Sequence, residues 1–99
     1  MKFGKASVSV TQVLTDTFGI TFLRATTDQK LALIECAAFL MRQSDYCLRD
    51  VITVITPEVT MPPAVRNCNL PLEDFREGLT LLALLYGSVN RDCGGASED

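Results

Sequence analysis

Residues 27–43 read TDQKLALIECAAFLMRQ, and this stretch decides the fold. Between Leu31 and Met41 its only polar residue is Glu35. Thr26-x-x-Gln29 stands in front as a capping box, and Asp28 suits the positive end of a helix. The stretch therefore predicts a helix running to about Gln43. At about 100° per residue, Leu33, Ile34, Ala37, Leu40 and Met41 share one broad face. Asp28, Glu35 and Arg42 form a narrow polar seam, with Leu31 and Phe39 bordering it. A helix apolar on nearly all sides has to be covered on nearly all sides. Either the rest of the chain covers Leu31 and Phe39, or another protein does.

Towards the N-terminus, Ser9-x-x-Gln12 is another capping box. Val10, Val13, Leu14 and Phe18 fall at helical spacing, which predicts a short helix over Val10–Phe18 stopped by Gly19. Alternation over residues 7–10 and the nearby threonines support a competing β-hairpin. Residues 20–24 read either as a strand or as a second short helical turn.

Towards the C-terminus, Ser44 or Asp45 is placed to cap a third helix. Leu48, Val51, Ile52 and Ile55 have the helical period, although their β-branching leaves a strand over 51–56 as the alternative. Pro57 ends the element in either case. All four prolines lie in residues 57–71, PEVTMPPAVRNCNLP, a connection with no regular period. Irregular connections of that length are uncommon in small domains. Val59, Met61 and Val65 are expected to carry it across the core. A last helix is expected from near Pro71, with Asn69 as its cap and Gly87 as its stop. Leu72, Phe75, Leu79, Leu82 and Tyr86 are its expected apolar face, and Leu84 intrudes on the polar face. Gly78 inside it predicts a close helix approach. The expected fold is mainly α, a small bundle of about four helices, with a short β-hairpin as an alternative in the first 25 or so residues. Residues 1–91 would form one helical domain and residues 92–99 a flexible acidic tail.

Composition narrows the function. The chain has 99 residues, 47% of them apolar and 21% charged, which suits one globular domain. The net charge is −3 and the nine basic residues are scattered, so there is no concentrated cationic face for phosphates or anionic lipid. No apolar run approaches the roughly 18 residues of a membrane span, and no signal-peptide core is visible, so a cytoplasmic location is expected. With no histidine, Ser–His and Cys–His nucleophile systems are excluded. No phosphate loop or dinucleotide fingerprint is present. Cys36, Cys47, Cys68 and Cys93 lack the paired spacing of a zinc site. They read as reduced thiols, with Cys36 and Cys47 buried and Cys93 exposed. No catalytic residue, metal ligand or cofactor is therefore assigned. Glu35 is the one carboxylate whose apolar neighbours would suit acid–base chemistry.

At the level of class, a chain this small, acidic and free of catalytic apparatus is similar to phage-encoded inhibitors, the anti-CRISPR proteins among them, and to small host adaptors. No residue motif carries that likeness. It implies a non-enzymatic protein that docks on a larger host protein or nucleoprotein complex and blocks it, in the host cytoplasm if phage-encoded. The surface carboxylates would suit a basic channel on such a partner. The candidate interface is Leu31, Glu35, Phe39 and Leu84, with Asp45, Arg49, Asp50 and Arg66 as a charged rim. Self-association as a homodimer through a helix pair is a further expectation. The alternative is a small DNA-binding regulator or antitoxin-like protein, with Arg24 as its one base-reading cation.

Overall fold

The computed structural model describes residues 8–97. Five helices follow one another: α1 (Val10–Phe18), α2 (Thr27–Arg42), α3 (Leu48–Ile55), α4 (Pro63–Arg66) and α5 (Phe75–Ser97). Among the described residues there is no strand, so residues 8–25 form no hairpin, while residues 1–7 of that expectation lie outside the described residues. Val8 and Ser9 lead straight into α1, where Ser9 Oγ accepts from Gln12 N at 3.1 Å. A second donor of α1's first turn, Thr11 N, is capped from far away by Glu77 Oε2 at 3.0 Å. The side chain that would complete the capping box, Gln12, turns instead to Asp16.

Both halves of the Thr26/Gln29 capping box are present on α2. Its buried face is Ala32, Leu33, Cys36, Ala37 and Leu40, with Ile34 and Phe39 half-buried against the core. α5 runs antiparallel to α2. At one end of the pair Lys30 Nζ meets Asp92 Oδ2 at 2.9 Å. At the other, Gly78 lies against Met41, whose Sδ would stand 2.6 Å from any Cβ added there. This is the close approach that Gly78 predicts.

α3 forms, but neither Ser44 nor Asp45 caps it. Cys47 holds the cap position without a side-chain bond. The first N–H groups are satisfied across space: Leu48 N donates to Leu70 O at 3.0 Å and Arg49 N to Cys68 O at 2.8 Å. The proline-rich connection thus caps α3 while crossing the core, where Met61, Val65 and Cys68 are buried.

The last helix differs most from expectation. It begins at Phe75 rather than near Pro71, and Asp74 Oδ1, not Asn69, accepts from Glu77 N. It passes Gly87 and continues through Ser97, so residues 92–97 are helix rather than tail, while 98–99 lie outside the described residues. Its inward face is only partly the expected one: Gly78, Leu81, Leu85 and Ser88 point to the core and Leu72 and Leu82 are half-buried against it, while Phe75, Leu79 and Tyr86 are exposed. The reason is that α5 carries two apolar rows. The close approach at Gly78 selects the row that continues through Leu81 and Leu85.

Candidate protein-binding surfaces

The sequence-derived interface residues do not form one patch. Leu31 and Glu35 sit on the exposed back of α2, one turn apart, and Leu31 is 45% exposed. Phe39 is covered in part by its own chain: the Tyr46 ring meets it edge-on with centroids 5.5 Å apart. Leu84 is half-buried against the core. Asp45 lies exposed in the turn after α2. Arg49 and Asp50 pair with each other at 3.7 Å on exposed ground at the start of α3, an arrangement worth little in water. Arg66 stands at the end of α4 with Nη1 donating to Met61 O at 3.1 Å. It edges a groove of about 310 Å³ lined by Ile52, Thr56, Val59 and Met61.

Glu35 is exposed on α2, so its apolar sequence neighbours do not enclose it. Among the described residues, no group of three or more Cys, Asp or Glu is placed to hold a metal ion. None of the cysteines is paired. Burial pushes the Cys36 thiol up to about 11, against a 4.0 Å contact with the Thr56 hydroxyl that acts the other way. Burial also raises Cys68. Both thiols therefore stay protonated and unreactive near neutral pH.

Two apolar surfaces escape a reading of the sequence. The first is the turn between α1 and α2. Residues 20–24 form neither a strand nor a helical turn. Gly19 has φ 95° and Phe22 has φ 59°, a left-handed conformation that bulky side chains rarely adopt. Phe22 is fully buried and stacks on Phe18 at 6.1 Å. Bonds from Phe22 N to Gly19 O, Arg24 N to Phe18 O and Ala25 N to Phe22 O close the turn. Ser88 Oγ reaches over from α5 to Thr21 O at 2.8 Å. The consequence of this bracing is that Ile20 and Leu23, on either side of the buried Phe22, stand out at 76% and 77% exposure. The DNA reading's cation, Arg24, turns back to Thr17 O at 3.3 Å.

The second surface is the outer row of α5: Phe75, Leu79, Leu82, Tyr86, Val89 and Cys93. Phe75, Leu79 and Tyr86 are 60%, 51% and 59% exposed. A sequence signal for each surface exists in hindsight. Gly19 three residues before Phe22 marks a turn rather than an element, and the α5 row has a strict heptad spacing. Among the described residues no helix is long and apolar enough to cross a membrane. Compared with family models, with curated proteins and with solved structures, the chain matches none.

Proposed function

We propose that this chain is a non-enzymatic protein-binding protein that docks on a larger protein or nucleoprotein complex and blocks it. The observation that carries this reading is the braced turn bearing Ile20 and Leu23. Water-exposed aliphatic side chains on a strained backbone are costly to keep, and strain of this kind concentrates at functional sites. The turn is held from four directions, by its own hydrogen bonds, by Phe18, by Thr17 and by Ser88. A partner would therefore meet two pre-positioned apolar anchors and lose little ordering entropy on binding. The excess of acidic over basic residues suits a basic surface on that partner.

The test is affinity capture with the tagged full chain from its host cells. The comparison is the wild type against a chain carrying Ile20→Asp and Leu23→Asp. The wild type should retain a partner in stoichiometric amount, and the double variant should lose it with its helical circular dichroism intact. Equal retention by both would remove the turn from the interface.

A further inference from the structure

The outer row of α5 recurs at intervals of four and three residues from Phe75 to Cys93, the a/d pattern of a coiled-coil seam. A helix lying on its own core needs only one such seam. On α5 that is the inner row through Gly78, Leu81, Leu85 and Ser88. The outer row is a second seam, turned about 100° away by helical geometry; Leu82 in its middle is half-buried against the core, while Phe75, Leu79 and Tyr86 stand exposed. Its C-terminal half contains an open hollow of about 410 Å³ bordered by Tyr86, Val89, Asn90 and Cys93. Those residues stand at i, i+3, i+4 and i+7, the four-sided hole that receives a knob from a facing helix. Gly87, beside it, has nothing within 4 Å of an added Cβ, so the chain's own packing does not call for a glycine there. Its N-terminal half is the reverse, bulky and projecting, with Phe75 and Leu79.

We propose that this seam is filled by α5 of a second copy, running antiparallel about a two-fold axis level with Leu84. In that register Leu79 of one copy enters the other's hollow, Phe75 lies over Cys93, and Leu82 meets Tyr86. The fit is with itself because one half of the row supplies the knobs and the other the hole. Antiparallel pairing also sets the opposite ends of the two helix dipoles together, with Arg76 near the partner's negative C-terminal end. Between the ends, the flank away from α2 carries the small neutral residues Thr80, Ala83 and Gly87, which allow close approach.

The area is that of a weak dimer. Aromatic side chains cover 150–250 Å² each, so Phe75 and Tyr86 offer roughly 100 Å² or more apiece. Leu79 adds to this, and the half-buried Leu82 and Val89 add less. The α2–α5 register sets Leu31 level with Val89 and Ala38 level with Leu82 on the same side of the pair. They bring the row towards the lower bound for specific interfaces, about 500 Å² per copy or about 1,000 Å² per dimer. A dissociation constant on the order of micromolar to tens of micromolar is expected.

Sedimentation velocity and light scattering on the full chain, from about 1 μM to several hundred μM, test this. The mass should rise from 10.8 kDa towards twice that value. Leu79→Glu or Tyr86→Glu should weaken association by roughly a hundredfold without loss of helicity, both side chains being exposed in the monomer. Orientation is read by oxidation. In an antiparallel pair the two Cys93 thiols lie about 27 Å apart along the axis and form no bridge. Ala83→Cys in a Cys93→Ser background should instead cross-link across the axis. A chain monomeric at every concentration overturns the proposal, as does a dimer indifferent to Leu79→Glu and Tyr86→Glu. Cross-linking of native dimers through Cys93 overturns the antiparallel register. None of these readouts involves Ile20 or Leu23, so the outcome is separate from that of the docking turn.

Discussion

Lys30 is the residue whose role the sequence conceals most completely. It sits in the first turn of α2, where a lysine is ordinarily solvated, yet its side chain is only 3% exposed. Its ammonium is answered by Asp92, 62 positions along the chain. Bonds from Lys30 and from the Thr27 hydroxyl hold the Asp92 carboxyl below its ordinary value of 3.8. A carboxyl depressed on folding stabilises the fold above its unfolded pKa. That contribution fades as pH falls from about 4 through the lower folded value. Asp92→Asn should accordingly flatten the acid limb of a melting-temperature profile taken between about pH 2 and 6. It should also destabilise the protein at neutral pH more than Lys30→Met does. Losing Asp92 strands a buried ammonium, whereas losing Lys30 leaves a carboxylate that water can solvate.

At the scale of elements, local patterning located α1, α2 and α3 well. Each has apolar residues at helical spacing, and α1 and α2 have caps within three residues. The start of α5 is set by a local cap, Asp74, in place of Asn69; other errors fall where a distant group overrides a local signal. Ser44 and Asp45 are idle as caps because the carbonyls of Cys68 and Leu70 already satisfy α3. Gly87 does not stop α5 because Ser88 and Asp92, beyond it, are tied to Thr21 and Lys30. The expected face of α5 is only partly its core face, with Leu72 and Leu82 half-buried against the core and Phe75, Leu79 and Tyr86 outside it, because two rows on it are equally apolar and only the fit against α2 separates them. The two glycines should respond in opposite directions to alanine. Gly87→Ala should stabilise by about 1 kcal/mol, since the added methyl meets open space and helix propensity improves. Gly78→Ala should destabilise by roughly 1–3 kcal/mol, because Met41 has to move out of the space the methyl takes. Urea denaturation of both variants measures the difference.

For the molecule as a whole, the excess of apolar surface was legible and its location was not. The sequence question was what covers Leu31 and Phe39. The structure answers it for Phe39, through Tyr46 and the core, and leaves Leu31 exposed. The larger uncovered areas, on the α1–α2 turn and on α5, depend on a positive φ and on a choice between two seams. Neither is encoded by residue type at a single position.

The ties from Thr11 to Glu77, Lys30 to Asp92 and Ser88 to Thr21 each span 62 to 67 positions. All three end on α5, which leaves the ribosome after the other described helices. During synthesis, α1, α2 and α3 emerge with helical patterns but without the surface that closes over them. Contacts this distant in sequence also make for slow closure once the chain is free. A chain cut after Leu72 should therefore remain open, with fast amide exchange throughout α2. Until α5 has emerged, the helices before it lack the surface they pack on, and their apolar faces are open to chaperones and proteases.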